Sequence, residues 1–382
     1  MRAGRRGALW TMLDSASGLS PGSVAIVLGT RPEIIKLAHI IRLLGPAARV
    51  VHTGQHYDRG LSALFIEAFE LPPPDVHLTI GGSSRGAQIG SAVSALDVHL
   101  GETRPLALIV QGDTNTALAG AIAGNAQEIP VLHVEAGLRS YDRRMPEEHN
   151  RVLIDHIGDL LFAPTDVAEK NMFEEGVPES RIRVTGNTVI EAVIELLPGA
   201  EERQRLLDRY HLTSGGYVLS TFHRPENVDD PERFGFVLRE LASLEVPVVL
   251  PLHPRSKDRA ARYGLAPLLK AIRVIEPVGY QDFLGLGAES AFLVSDSGGV
   301  QEEVTVYKRS VIVVRRSTER PEVLGTFAEL VEPGADFSAV AERWMGDLAG
   351  LHQSLAELPS PYGDGTASAR IVDEIGAMVG GT

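Results

Sequence analysis

Residues 24–54, VAIVLGTRPEIIKLAHIIRLLGPAARVVHTG, decide the fold. VAIVLG and RVVHTG are short β-branched apolar runs, and the stretch between them is patterned as a helix. Strand, crossover helix and strand form the unit of a parallel sheet, because parallel neighbours cannot be joined by a tight turn. Strands buried on both faces read as continuous apolar runs, as these do. Working outward, the rhythm continues through LALIVQGD (106–113) and IPVLHVE (129–135), and RIRVTGNTVIEA (181–192) ends the series. It resumes with GYVLSTFH, VPVVLPLHP, AIRVIEP, AFLVSD and SVIVVRR between residues 216 and 316. The expected fold class is α/β, with two Rossmann-like domains in tandem meeting near Thr185–Thr188. Open sheets of this kind bind ligands beyond the carboxyl ends of their strands, so a ligand is expected in the cleft between the domains.

Bulk composition narrows the function. A chain of 382 residues with 44% hydrophobic content exceeds what one core usually supports, which agrees with two domains. The net charge of -14 argues against non-specific nucleic-acid binding. With no cysteine, disulfides, thiolate catalysis and cysteine-ligated metal sites are excluded. No apolar run approaches the roughly 20 residues that cross a bilayer, so a soluble, cytoplasmic enzyme is expected. Residues 1–23 carry Arg2, Arg5 and Arg6 but lack a secretory apolar segment, and read as an N-terminal extension rather than a twin-arginine signal.

The densest chemistry lies in HVEAGLRSYDRRMPEEHNR, residues 133–151, where eight of nineteen positions are charged against 23% overall. Desolvating so many charges is unfavourable unless they pair or meet a polar ligand; the segment is either a reaction site or a salt-bridged surface loop. Asp113 and Glu135 each follow a strand, so adjacent strands could bring both carboxylates to one rim. Pro146 opens a helix in which Glu147 and Arg151, four apart, share a face; Glu147 is either a site carboxylate or a capping acid paired with Arg151. Arg31 and Lys36 follow the first strand near a helix start that Thr30 can cap. Cations there oppose the helix dipole unless an anion binds. Ser297-Gly298-Gly299 before a helix from Val300 allows close backbone approach to a diphosphate, or is a plain tight turn; Glu303, one turn on, could accept ribose hydroxyls. His223 and His253 end strands and are followed within two positions by Arg224 and Arg255, while Arg315, Arg316, Glu319 and Arg320 form a basic rim.

Taken together, GTRPEIIK, TGQHYD, QGDTNTA, HVEAGLR, MPEEHNR, TGNT, TFHRPEN, PLHPR, SDSGGVQEE, TERPE and PYGDG occur in the order found in the non-hydrolysing UDP-N-acetylglucosamine 2-epimerases, which the chain resembles over roughly residues 24–375. The resemblance implies a glycosyltransferase-B-like pair of domains. The first would span residues 24–185 plus a C-terminal helix at about 362–382, and the second, nucleotide-binding domain residues 186–361. It implies reversible epimerisation at C2 of a UDP-sugar through anti elimination of UDP, a 2-acetamidoglucal intermediate and re-addition. No metal, nicotinamide or other cofactor is implied, and a homodimer is. By match to the motifs, Asp113, Glu135 and Glu147 are the acid/base candidates. His223 and Arg31 would stabilise the leaving diphosphate, supported by Lys36 and Arg151. Ser297, Gly298, Gly299, Glu303 and Arg320 match positions that hold diphosphate and ribose, and His253 lies by the nucleotide or the adjoining substrate site.

The chain also departs from the family pattern. Two residues are missing between Glu322 and Gly325, and Val304-Thr305 replaces Ala-Pro. Asp58 and Pro225 stand where substrate-activated members carry glutamine and arginine, so the resemblance does not extend to that activation. The RMPEEHNR loop resembles a branch acting on diacetamido-uronate and antibiotic-pathway sugars; a related UDP-hexosamine as substrate and a hydrolysing 2-epimerase are the alternatives.

Overall fold

A computed structural model describes residues 19–55, 65–82, 84–252 and 254–380. His253, Asp58 and the extension up to residue 18 lie outside the described residues. The chain divides into two compact units, one running to Ala192 and taking in the stretch from Tyr362 onward, the other Val193–Pro361.

In the first unit, seven strands among the described residues form one parallel sheet. They are β1 (Val24–Leu28), β2 (Ala48–His52), β3 (Val76–His77), β4 (Ala107–Gln111), β5 (Val131–Val134), β6 (Leu160–Ala163) and β7 (Ile182–Val184). Their order is β3-β2-β1-β4-β5-β6-β7, so the chain reverses direction across the sheet between β1 and β4. Such a switch point leaves a crevice at the strand ends where ligands bind. The period of two explains why every β1 residue is apolar. Val24, Ile26 and Leu28 pack into the core on one face, and Ala25 and Val27 into the core on the other. The helix Arg31–Leu44 is buried from Glu33 to Ile41, far beyond one stripe. The sheet covers one side of it. The C-terminal helix Ala367–Gly380 contributes Ile371, Val372 and Ile375 to the same core.

The second unit repeats the plan with six strands among the described residues: β8 (Val218–Thr221), β9 (Val248–Pro251), β10 (Arg273–Ile275), β11 (Phe292–Ser295), β12 (Val311–Val314) and β13 (Ala328–Val331). The order is β10-β9-β8-β11-β12-β13, all parallel. Its core includes Phe234, Phe292, Phe337 and Trp344, with the Phe292 and Trp344 rings edge to face at 5.5 Å.

Three strands were not foreseen from the sequence. β3 has two residues at a sheet edge, β6 is the four-residue run LLFA that periodicity cannot tell from helix, and β13 is a half-buried edge. The helix expected from Val300 begins at Gly298. Among the described residues no helix is long and apolar enough to cross a membrane.

Candidate active site

In the first unit the site is built at the ends of β1, β4 and β5. Parallel pairing of β4 with β5 sets Gln111 opposite Val134, so Asp113 and Glu135 emerge at neighbouring strand ends. Both have basic partners. The Glu135 carboxylate accepts from Lys36 Nζ and, at 2.5 Å, from Gln111 Nε2, and Lys36 and Glu135 are both buried. Asp113 pairs with Arg151, whose other terminal nitrogen donates to Glu148 at 2.6 Å. Asn150 donates to the Asp113 carbonyl at 2.8 Å, fixing the turn to the helix Pro146–Ile157. Glu135 holds φ 67°, the left-handed region that a residue with a Cβ enters only at an energetic cost. Strain of this kind persists where surrounding bonds determine the conformation, and Lys36 and Gln111 supply them.

Arg31 begins the helix after β1, half-buried, with no side-chain partner among the described residues. An unneutralised guanidinium at a helix N-terminus is poised for an anion. Thr30 precedes the helix, as a cap should, but its hydroxyl donates to Glu33 Oε2 at 2.8 Å rather than only closing the first turn.

Much of the charge in residues 133–151 is spent internally. His133 and Asp155 are fully buried and paired at 2.7 Å, and the second ring nitrogen of His133 lies 2.8 Å from the Gly112 carbonyl. Burial alone would raise the Asp155 carboxyl, but His133 and Arg139 outweigh it and hold the group below the usual range. Arg139 also meets Glu175 at 2.6 Å. Glu148 accepts from the backbone N–H groups of Ser140 and Tyr141, which shapes the loop. The pairing of Glu147 with Arg151, one of the two readings the sequence left open, is absent among the described residues. Glu148 takes that place three positions away, and Glu147 is exposed at the helix start. Much of the segment is thus the salt-bridged scaffold that the sequence allowed, with Glu147 the exposed acid at its helix start.

In the second unit the polar groups gather after β8, β11 and β12. His223 is half exposed, with Nδ1 3.2 Å from Asp296 Oδ1. The buried Asp296 also accepts the backbone N–H of Arg224 and the side chain of Asn227, each at 3.0 Å. Burial pushes this carboxyl up, and His223, Asn227 and the Arg224 N–H pull it lower still, so it stays ionised beneath the histidine. Ser297 leads into the helix Gly298–Tyr307 with no side-chain cap bond. Glu303 accepts from Tyr280 at 2.9 Å, and Arg320 donates to Glu302 at 2.8 Å and to Glu319 at 2.5 Å. The basic rim expected after β12 is in part an internal network: Arg315 is buried and paired with Glu319 at 2.7 Å, leaving Arg316 exposed.

Arg31, Lys36, Asp113, Glu135 and Arg151 are therefore gathered in the first unit, with Glu147 at its margin. His223, Ser297, Gly298, Gly299, Glu303 and Arg320 lie in the second. Sequence reasoning passed over Glu33, Gln111 and Asp296, and noted Glu148 only as sharing a helix face with Arg151. Gln111 and Asp296 close apolar strand runs, where a polar residue is out of pattern and could have been flagged. Nothing local distinguished Glu33 from an ordinary first-turn acid.

Comparison with known proteins identifies the family. Residues 46–376 match the family described as UDP-N-acetylglucosamine 2-epimerase. A UDP-N-acetylglucosamine 2-epimerase of Methanocaldococcus jannaschii is 39% identical over 363 residues, covering 91% of this chain and 97% of the relative. The crystal structure of the M. jannaschii UDP-GlcNAc 2-epimerase in complex with UDP-GlcNAc and UDP superposes with a TM-score of 0.82 at 38% identity, over 92% of this chain and 99% of that one. A UDP-2,3-diacetamido-2,3-dideoxy-D-glucuronate 2-epimerase of Pseudomonas aeruginosa is 34% identical over 368 residues, 93% of this chain and 99% of the relative. The two parallel-sheet α/β units are those of a glycosyltransferase-B-like fold, and with a match across most of its length the chain belongs to the UDP-N-acetylglucosamine 2-epimerase family.

Proposed function

We propose that this protein reversibly epimerises UDP-N-acetylglucosamine to UDP-N-acetylmannosamine at C2, without hydrolysis. The observation that carries the reading is the pair of carboxylates, Asp113 and Glu135, delivered by neighbouring strands and each held by a cation. A base removes the C2 proton while the C1–O bond breaks, its electron pair leaving with UDP and a C1–C2 double bond forming. In the return step UDP oxygen attacks C1 and an acid delivers a proton to the other face of C2, so no oxidant or reductant is consumed. Asp113, Glu135 and Glu147 are the proton carriers in this scheme, each contributing on the order of 100- to 10,000-fold. Arg31 and His223, backed by Lys36 and Arg151, take up the charge that develops on the diphosphate. Ser297, Gly298, Gly299, Glu303 and Arg320 bind the diphosphate and ribose, and His253 belongs to the same proposed set. The reading includes a homodimer in the cytoplasm.

In deuterated water, product and recovered substrate should both gain deuterium at C2, and Asp113→Asn should lower that exchange at least about a hundredfold. Retention of the original hydrogen during turnover, or release of free N-acetylmannosamine with stoichiometric UDP, would reject the mechanism. A second substrate is favoured by the match to the P. aeruginosa diacetamido-glucuronate enzyme, and a panel of UDP-hexosamines assayed for C2 exchange separates the two.

A further inference from the structure

Glu33 is completely buried, and the proposed chemistry does not use it. Its Oε2 accepts from the backbone N–H of Gly29 at 3.0 Å, the backbone N–H of Thr30 at 2.7 Å and the Thr30 hydroxyl at 2.8 Å. Its Oε1 accepts from the Thr114 hydroxyl at 2.8 Å. The first three bonds are what a glutamate at the third helical position does for its own helix. The fourth is not, because Thr114 caps a different helix, Asn115–Ala126, 81 positions away. Thr114 Oγ1 accepts from Ala117 N–H at 2.9 Å, so its single proton is committed to Glu33. One carboxyl group thereby ties the starts of two helices that follow the paired strands β1 and β4.

What those two turns carry gives the bond its meaning. Thr30 is followed by Arg31 and Thr114 is preceded by Asp113, so the Glu33 bridge sets the leaving-group cation against the proposed proton carrier. We infer that Glu33 is a positioning residue: with Thr114 it fixes the spacing between the Arg31 turn and the Asp113 turn and so governs the elimination step without touching substrate. The inference rests on the epimerase reading above. Simple helix capping would stabilise the fold and leave turnover by the folded protein unchanged. Displacement of a reacting group by about 1 Å can reduce rate on the order of a hundredfold.

The test uses the full chain, UDP-N-acetylglucosamine and deuterated water, with kcat, KM, UDP affinity and melting temperature read for each variant. Glu33→Asp keeps the carboxyl group but is one methylene too short to span both turns. Thr114→Val deletes the bridging hydroxyl, and Thr114→Ser retains it. The expected result is a kcat lower by about ten- to a hundredfold in Glu33→Asp and Thr114→Val, with KM and UDP affinity within about twofold and Thr114→Ser close to wild type. Because both substitutions break one bridge, the double variant should be no slower than the worse single one. Wild-type kcat in Glu33→Asp and Thr114→Val, or losses that multiply in the double variant, would overturn the positioning role and leave the epimerase reading standing. Should Glu33→Asp fail to fold, Thr114→Val and Thr114→Ser at the half-buried end of the bridge decide the matter by themselves. A wild-type protein that exchanges no C2 hydrogen in any UDP-hexosamine would overturn both.

Discussion

At Glu33 burial pushes the carboxyl up to about 7 against the pull of hydrogen bonds from Thr30, Thr114 and Gly29. An unfolded glutamate releases its proton near 4.5, whereas the folded one keeps it until about 7. Between those values the unfolded chain binds fewer protons, so stability falls as the pH rises through the window and is level above it. The loss is on the order of 3 kcal/mol. Glu33→Gln cannot titrate. Urea unfolding from pH 4.5 to 7.5 should show the wild-type stability declining relative to the variant across that window, and parallel curves would show that Glu33 does not carry the shift. None of this was legible in GTRPEIIK, where Glu33 reads as a first-turn acid. Its fourth bond depends on Thr114, which the sequence places far away. The strand-end positions of Asp113 and Glu135 were legible because Glu135 directly follows the run IPVLHV and Asp113 follows LALIVQ after one glycine. The positive φ of Glu135 was not, since glycine is the residue that normally signals it.

Among the elements, the strand-to-helix turn after β11 shows that its glycines answer to a packing demand as well. Ser297-Gly298-Gly299 suggested backbone left bare for a phosphate. A Cβ on Gly298 would also come within 2.7 Å of Arg320 Nη1 and 2.9 Å of Glu319 Oε1. Those groups belong to a buried network with Glu302 and Arg315, so they cannot swing aside as a surface arginine would. Gly298→Ala should therefore displace Arg320 and, if the proposed nucleotide site is right, weaken UDP binding by about tenfold, the value of one charged contact. Titration calorimetry with UDP measures it, and an unchanged Kd would show that Arg320 does not set the nucleotide site. The long apolar strands could be read directly, as their two buried faces demand. β3, β6 and β13 could not, because two to four residues at or near a sheet edge carry too little pattern.

For the whole molecule, the decisive feature is that the first unit is discontinuous in sequence. The chain leaves it at Ala192 and returns at Tyr362. The return is anchored by Asn187 N–H on the Tyr362 carbonyl at 2.8 Å, by Ser368 N–H on Glu191 at 2.7 Å and by Arg183 on Glu374 at 3.0 Å. Ile371, Val372 and Ile375 then complete the core above the helix Arg31–Leu44, which carries Arg31, Glu33 and Lys36. Periodicity alone could not assign the last helix to one unit, since its apolar stripe would suit either; the ordered motifs ending in PYGDG did so. Truncating a buried isoleucine to alanine typically destabilises by about 2–5 kcal/mol, a large share of a domain's total. Ile371→Ala and Ile375→Ala should each lower the stability of the first unit by that amount, whereas the second unit, continuous from Val193 to Pro361, contains neither residue. Scanning calorimetry should accordingly show a transition of the first unit moved down by several degrees, with the transition of the second nearly fixed. If both substitutions leave every transition in place, the C-terminal helix is not part of the first unit's core, and the support it gives to Arg31 and Lys36 falls with it.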